Sequence, residues 1–300
     1  MTASAGSANL ASVLREAREA IDAHAAAGGR FVAGGVESFV LDRGEGAPVV
    51  LLHGVPVSSF VYRKVVPELA ERGLRGLAFD FPGLGLAQRP RDFDYTWSGL
   101  ASWTEAAIEA LEIDRCHLVV HDIGGPVGFE WAIRNPDRVL SITALNTLVD
   151  TARFRRPWTM HPFSIRGIGE VWLRATPRYV FAQLFYLQGV ADRAAVPRAD
   201  VYAHHALLRH EDGGRAFLEI MRGFELGEAK ERYFFEGLTG RPYPAQVVWG
   251  REDPALGAVR REAVLRALAV DSPTLLPAKH FLQEDHAVEV ADAVATIASS

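Results

Sequence analysis

The feature that most constrains the fold is an alternation of two kinds of segment. Short apolar runs of strand-forming residues are separated by longer segments whose apolar residues recur at steps of three and four. The runs predict strands at residues 31–32, 36–41, 49–52, 77–79, 118–121, 139–145, 246–249 and 274–276. The longer segments predict helices at residues 10–27, 60–71, 95–111, 126–133, 259–268 and 288–297. Apolar strands joined by helices are typical of an α/β fold with a mostly parallel sheet and helices on both faces.

The alternation is interrupted once, and the interruption predicts a lid. Between Asp150 and Tyr243 the chain is rich in arginine, aromatic residues and helix formers, without a convincing strand. We therefore expect a core made of residues 1–149 and 241–300, and a helical lid made of residues 150–240. An insertion at this point would cover the carboxyl ends of the strands, where open α/β sheets bind ligands.

The composition excludes several classes of protein. Of the 300 residues, 49% are hydrophobic and 23% are charged, which excludes bulk disorder. The net charge of -5 argues against nucleic-acid binding as the main role, and no apolar run approaches the roughly 18 residues of a membrane helix. The N-terminus lacks the pattern of a secretory signal. The one cysteine, Cys116, excludes an internal disulfide and a cysteine-based zinc cluster. We expect a soluble, cytoplasmic protein of bacterial type, with no nucleic-acid or membrane partner.

The sharpest chemical signal is the segment 119–125, VVHDIGG, in which a predicted strand runs into an acid and then into two glycines. A strand, a nucleophile and glycines that open a helix make up the nucleophile elbow, which usually carries serine. Here Asp122 stands at the nucleophile position. An isolated aspartate before glycines is more often a helix N-cap, but the partners described next favour a covalent nucleophile.

The loop after the strand 49–52 reads His53-Gly54-Val55-Pro56 and predicts an oxyanion hole. We expect the backbone N–H of Val55 to pair with that of Ile123, both facing the pocket, and His53 to be structural. Another loop, 80–85, has two glycines of a dinucleotide fingerprint but lacks the third glycine and a clear acidic ribose ligand. We interpret it as a shaped turn.

An acid and a histidine follow the last two predicted strands. Asp253 comes after one strand and His280 after the other, which completes the chain order nucleophile, acid, histidine. In such a triad the histidine is the base, and the acid fixes its tautomer and stabilises the imidazolium. The spacing of the lid histidines His204, His205 and His210 does not place them on one helix face, which disfavours a metal site. We expect no metal and no organic cofactor.

Over residues 30–300 the chain resembles the α/β-hydrolase family, and residues 121–125, HDIGG, resemble its aspartate-nucleophile branch. That branch includes haloalkane dehalogenases, epoxide hydrolases and fluoroacetate dehalogenases, and the segment 279–285 is particularly similar to haloalkane dehalogenases. In this branch the acid follows either the strand after the elbow helix or a later strand. The earlier position holds Asn146, which cannot be anionic, so the resemblance assigns the acid to Asp253.

The resemblance implies a two-step reaction. Asp122 attacks an sp3 carbon to form an alkyl ester, and His280 activates the water that hydrolyses it. Haloalkane dehalogenases resemble one another in placing tryptophan after the nucleophile, with a second halide donor from asparagine or a lid tryptophan; fluoroacetate dehalogenases place arginine there. This chain has Ile123 and Val55 at the two donor positions. Their apolar side chains cannot replace two hydrogen bonds to the leaving anion, each of which is worth about 1.5–3 kcal/mol. Epoxide hydrolases instead protonate the epoxide oxygen from lid acids, usually tyrosine.

Several lid residues are candidates for donors to the leaving group, although most are expected to pack rather than react. The resemblance implies a lid tryptophan, as in dehalogenases, near Trp172 and a proton donor, as in epoxide hydrolases, near Tyr233. We select Trp172 and Tyr233 over the remaining candidates, which are Trp158, His161, Tyr179, Tyr186, Tyr202, His204 and His205. The sequence therefore predicts an epoxide hydrolase that acts on an apolar or aromatic small molecule with water. The alternatives are a haloalkane dehalogenase with a halide site of lid tryptophans, and a non-catalytic small-molecule binding protein on the same fold. A homodimer is left open.

Overall fold

One sheet of eight strands organises the protein. The computed structural model describes residues 2–299, and the side chains of residues 9–299. The strands are β1 Gly29–Ala33, β2 Val36–Arg43, β3 Ala47–Leu52, β4 Leu74–Phe79, β5 Cys116–Asp122, β6 Val139–Thr147, β7 Ala245–Gly250 and β8 Thr274–Leu276. Each strand predicted from the sequence is present, and most extend a residue or more beyond the predicted ends.

The strand order in the sheet is β1-β2-β4-β3-β5-β6-β7-β8. The first two pairings in this order are antiparallel, and all pairings from β4 to β8 are parallel. The interior strands β3 and β5 carry continuous apolar residues because helices cover the sheet on both faces. This is the α/β-hydrolase fold, and the predicted fold class is confirmed.

The helices lie on both faces of the sheet and above one of its edges. They are α1 Thr2–Ala26, α2 Val65–Glu71, α3 Trp97–Ala110, α4 Gly124–Arg134, α5 Ile168–Ala175, α6 Arg178–Gln188, α7 Arg198–Leu208, α8 Arg215–Arg222, α9 Glu228–Leu238, α10 Ala258–Ala267, α11 Leu282–Asp285 and α12 Ala287–Ala298. Short 3-10 helices occupy Ser59–Tyr62, Pro136–Arg138 and His161–Ser164. The predicted helix 60–71 is therefore two helices, a 3-10 turn followed by α2.

The segment 150–240, for which we keep the name lid from the sequence prediction, is helical. It contains α5 to α9, and no strand lies among its residues, all of which are described. Helix α7 packs against α1, so the predicted N-terminal helix is present and is tied to the lid. Helix α9 packs against α4 and α10. The lid is thus held to the rest of the protein through α7 in its middle and through α9 near its end.

The sheet brings the predicted motifs to one edge. Strands β3, β5, β7 and β8 run in parallel, so their carboxyl ends meet below the lid.

Cys116, at the opposite end of β5, is buried, and burial raises the pKa of its thiol to about 12. Within residues 2–299, no helix combines the length and the apolar character that a membrane crossing requires.

Candidate active site

Asp122 stands on a sharp turn between β5 and α4. Its backbone φ is +51°, in the left-handed region that non-glycine residues rarely adopt. Glycines at positions 124 and 125 allow the close packing at this turn, because a Cβ at Gly124 would collide with the backbone of Leu52 and one at Gly125 with the hydroxyl of Thr147. The Thr147 hydroxyl in turn donates to the carbonyl oxygen of Asp122 at 2.6 Å. The strained backbone and its support are those expected of a nucleophile elbow.

Backbone N–H groups hold the Asp122 carboxylate. The N–H of Val55 donates to its Oδ1 at 2.8 Å, and the N–H of Ile123, the next residue, also favours the ionised carboxylate. The loop can come this close because residue 54 is glycine, where any Cβ would collide with Asp122. Burial raises the pKa of Asp122, while the charge of His280 and the two N–H groups oppose that rise. The two N–H groups predicted as an oxyanion hole therefore converge on the nucleophile.

His53 braces the loop that carries Val55. Its Nδ1 lies 2.9 Å from the Gly54 carbonyl oxygen and so must donate to it, which leaves Nε2 to accept from the N–H of Phe81 at 3.1 Å. Burial lowers the pKa of His53, so the ring is neutral. The loop 80–85 is shaped by Asp80, whose two carboxylate oxygens accept from the backbone N–H groups of Ser59 and Leu86. Neither His53 nor Asp80 reaches the cavity.

His280 lies between two carboxylates. Its Nδ1 is 2.9 Å from Oδ2 of Asp253, and its Nε2 is 3.7 Å from Oδ2 of Asp122. Burial by itself would favour the neutral ring, but Asp253 and, more weakly, Asp122 raise the pKa of His280. Burial likewise disfavours the Asp253 anion, yet the charge and hydrogen bond of His280 hold the pKa of Asp253 below its usual range. The three side chains can therefore act as nucleophile, base and orienting acid.

Asp253 is fixed in place by four hydrogen bonds. Its Oδ1 accepts from the N–H groups of Ala255 and Leu256, and its Oδ2 accepts from His280 and from the Asn146 amide at 2.6 Å. Asn146 does not take the place of the acid, as the sequence established; instead it orients the acid. Its amide oxygen accepts from the backbone of Gly250, which fixes the direction of the amide.

Two other acids lie near this site in the sequence but do not contact His280. Glu252 is exposed at the surface. Asp150 is buried and paired with Arg260 on α10.

His121 is a residue whose role the sequence did not assign. Its Nε2 donates to the carbonyl oxygen of His280 at 2.8 Å, and the two rings lie 4.8 Å apart. Burial and the neighbouring His280 hold the pKa of His121 well below its usual range. A neutral His121 therefore fixes the backbone of His280 from inside the sheet. Its position directly before Asp122 was the available signal.

A cavity of about 110 Å³ opens over Asp122 and His280. Most of its wall is apolar, with aliphatic and aromatic side chains from the lid and from the loop after β7. Besides the catalytic pair, the polar side chains in the wall are Arg156, Thr159, Thr176, Gln188 and His205. Among the described residues that line it, none is a tyrosine or a tryptophan.

The structure does not bring the selected lid donors to this cavity. The indole N–H of Trp172 donates to the carbonyl oxygen of Thr159 within the lid, at 3.1 Å. Tyr233 lies on α9, which packs on the core, and its ring contacts Phe234 and Lys230. Of the competitors, Tyr186 donates to the lid backbone. Of the candidates considered, His205 reaches the wall.

A buried ionic cluster ties the lid to the loop that carries His280. Glu284, whose side chain is fully buried, receives two hydrogen bonds from Arg63 at 2.6 and 2.9 Å and one from His204 of α7 at 2.8 Å. Arg63 also reaches Asp200 of α7 at 2.5 Å. Burial opposes ionisation of Glu284, but Arg63 and His204 hold its pKa far below its usual range. We call these four residues the clasp.

Backbone contacts extend the clasp along the segment 279–285. Four hydrogen bonds join this segment to the end of α6 and the loop that follows it: Lys279 Nζ to Leu187 O, Phe281 N to Gly189 O, and the N–H groups of Ala191 and Asp192 to Asp285 Oδ2. His280 is therefore anchored to the lid as well as to Asp253.

Metal chemistry finds no support in the side chains. Among those of residues 9–299, no three His, Cys, Asp or Glu groups converge where they could share a metal ion. The polar groups around Asp122 are instead the acid, base and N–H donors already described.

Comparisons with known proteins show the family and the fold. A haloalkane dehalogenase of Mycobacterium marinum is 29% identical over 83% of this chain and 84% of its own length. An epoxide hydrolase mutant of Vigna radiata superposes with a TM-score of 0.75 at 17% identity, over 91% of this chain and 98% of the other. A 2-hydroxy-6-oxo-6-phenylhexa-2,4-dienoate hydrolase of Rhodococcus gives a TM-score of 0.77 at 17% identity, over the same shares. At such identities the two structures support the fold alone. The alpha/beta hydrolase fold family matches residues 47–287, and the chain belongs to that family.

Proposed function

We propose that the protein is a hydrolase that displaces a leaving group from an sp3 carbon through an ester on Asp122. One observation carries the proposal: the two Asp122 oxygens face different partners. Oδ1 accepts from the N–H of Val55, whereas Oδ2 lies 3.7 Å from Nε2 of His280. At that distance His280 does not bond directly to the nucleophile, so it is available to a water molecule.

The reaction follows in two steps. A carboxylate oxygen of Asp122 attacks the carbon, and the bond to the leaving group breaks with its electron pair on that group. His280 then takes a proton from water, whose oxygen attacks the ester carbonyl. The N–H groups of Val55 and Ile123 stabilise the resulting oxyanion. Collapse of this intermediate breaks the bond between the ester carbonyl carbon and the product oxygen, which receives the proton from His280. Asp122 then holds the oxygen from water as a carboxylic acid and releases its proton to solvent, which restores the carboxylate.

Halide is the leaving group that this site serves best. An epoxide oxygen leaves as a strong base and needs a proton donor, whereas a halide leaves as a weak base and needs only hydrogen bonds. Burial lowers the pKa of His205 to about 4, so this cavity histidine is neutral near pH 7. Gln188 can donate, because its amide oxygen accepts from the Thr159 hydroxyl at 3.1 Å and its amide nitrogen is left for the cavity. The M. marinum relative's name supports the same choice.

Epoxide hydrolysis, which the sequence favoured, is the second candidate. Ile123 follows the nucleophile and offers no indole to a halide, and this observation still favours epoxide hydrolysis. The phenol of Tyr233, which would have supplied the proton, lies outside the cavity wall.

The test is to give the enzyme a bromoalkane and a styrene-type epoxide in parallel, and to measure bromide and diol. We expect bromide release with the bromoalkane and an alkyl adduct on Asp122 by mass spectrometry. Asp122→Ala should lose both while keeping its circular dichroism spectrum. Diol alone would select epoxide hydrolysis. If neither bromide nor diol is released and no adduct forms, the protein only binds small molecules and the proposal is rejected.

A further inference from the structure

Arg156 lies in the cavity wall with its guanidinium among other wall residues. It belongs to the lid segment between β6 and α5. Its Nη2 donates to the Met221 carbonyl oxygen at 2.9 Å, and the guanidinium carbon lies 4.6 Å from the centre of the Phe224 ring. Met221 and Phe224 both line the cavity. The positive charge of this half-buried side chain therefore lies beside the cavity.

This charge has no acidic partner. Three other enclosed arginines pair with carboxylates, namely Arg63 with Glu284, Arg222 with Glu170 and Glu219, and Arg260 with Asp150, whereas Arg241, which does not line the cavity, also has no acidic partner among the described residues. No carboxylate among the side chains of residues 9–299 lies within 4.0 Å of Arg156, and its enclosed Nε has no hydrogen-bond partner. Burial lowers the pKa of Arg156, and no acid opposes that effect.

The contacts of Arg156 within the protein do not account for a cation there. Met221 O takes one of the five N–H groups of the guanidinium, and a neutral amide could donate to it equally well. The stacking on Phe224 attracts the cation only weakly, whereas partial burial without an acidic partner disfavours the charge of Arg156. A bound anion would remove that cost.

We propose that Arg156 binds a carboxylate of the substrate, so that the substrate is a small apolar chain with a leaving group on one carbon and a carboxylate elsewhere. The planar guanidinium matches a carboxylate with two parallel hydrogen bonds. The cavity also holds Asp122, which repels any second anion. Arg156 offsets that repulsion and makes an anionic substrate acceptable. The reacting half of this substrate rests on the proposed function; the carboxylate half does not.

The binding of unreactive ligands tests the carboxylate site without turnover. Hexanoate and hexanol are titrated calorimetrically into the wild type, Arg156→Gln and the matched control Arg155→Gln. Arg155 is the exposed neighbour, and its replacement removes the same charge from the same segment. We expect hexanoate to bind the wild type and the control at least tenfold more tightly than Arg156→Gln, with hexanol unchanged. Equal hexanoate affinity in all three proteins would overturn the proposal.

Kinetics then test whether the site selects the substrate. A bromoalkanoate and a bromoalkane of equal chain length are compared by kcat/KM. We expect the wild type to prefer the carboxylate, Arg156→Gln to lose this preference at least tenfold, and Arg156→Lys to restore part of it. A uniform loss on both substrates would overturn the proposal. Hexanoate binding that depends on Arg156, with no ester on Asp122 from either bromide, would reject the proposed function and keep the carboxylate site.

Discussion

The ring of His280 is 2.9 Å from Asp253 on one side and 3.7 Å from Asp122 on the other. The shorter contact orients the ring, and the longer one leaves Nε2 able to reach water. Attack by Asp122 and hydrolysis of its ester therefore depend on different groups, so that the two steps can be separated by mutation.

Replacing His280 should stop the reaction after the first step. Asp122 needs no base to attack carbon, whereas water needs one to attack the ester. In His280→Gln we expect a stoichiometric adduct on Asp122 that persists, detected by intact-protein mass spectrometry after addition of a bromoalkane. Continued turnover without an adduct would contradict the assignment.

Asp253 should matter more than the other nearby acids. Asp253→Asn is expected to slow ester hydrolysis at least about 100-fold, since the corresponding change in a serine triad costs about 10⁴-fold. Glu252→Gln, at an exposed residue, and Asp150→Asn, which breaks the pair with Arg260, should slow it far less. Single-turnover decay of the ester compares the three. The smallest effect in Asp253→Asn would assign the acid elsewhere.

The two steps should respond differently to pH. Alkylation needs ionised Asp122, and burial raises the pKa of Asp122 above the usual value of an aspartate, so alkylation slows as pH falls through that raised pKa. Hydrolysis needs neutral His280. Asp122 helps to raise the pKa of His280 in the free enzyme, but an alkylated Asp122 carries no charge. The ester should therefore hydrolyse down to a lower pH than an NMR titration of His280 in the free enzyme suggests. Rapid-quench rates across pH check this order.

The stability of the fold should fall from about pH 6.5 downwards. Burial lowers the pKa of several histidines from 6.5, among them His24 and His205, each to about 4. Below pH 6.5 the unfolded chain takes up protons that the folded one does not, and each such histidine costs about 1.4 kcal/mol per pH unit until its folded pKa is reached. The free energy of unfolding, measured by urea titration at about pH 7.5, 6 and 5, should decrease in that order. Replacing His24 by phenylalanine should flatten the slope.

The clasp should be a large contributor to stability. Glu284→Gln leaves the Arg63 charge without its fully buried partner, and breaking such a pair costs about 3–5 kcal/mol. The control Glu289→Gln removes the same charge from an exposed position and should change stability little. Because the pKa of Glu284 is lowered on folding, its contribution is complete above the unfolded value of 4.5 and is lost as pH falls below it. Equal unfolding free energies of the two variants would refute this role.

The sheet, and the meeting of Asp122, Asp253 and His280 at its edge, could be predicted because their signals are local. Each strand is a short apolar run, and Asp122, Asp253 and His280 each follow the end of such a run. The parallel sheet brings those ends together whatever the rest of the chain does. The prediction of the acid also needed Asn146 to be excluded, and the structure gives Asn146 a role of its own, as a donor to Asp253.

The cavity wall could not be predicted, because it depends on how each lid helix is rotated. Trp172 and Tyr233 have suitable chemistry, but the first donates within the lid and the second faces the core. Gln188 and Arg156 carry no sequence signal that separates them from surface residues. Their importance follows from what surrounds them: a hydroxyl that fixes one amide, and an apolar wall that encloses one charge.

The clasp has a consequence for how the specificity of this enzyme can be altered. The residues that follow His280 are bonded to α7 and to the loop before it. A chimaera that receives a foreign lid would therefore lose the support of its own base, and its chemistry would change together with its substrate range. Engineering that keeps residues 187–204 native and varies the lid before them should separate the two properties.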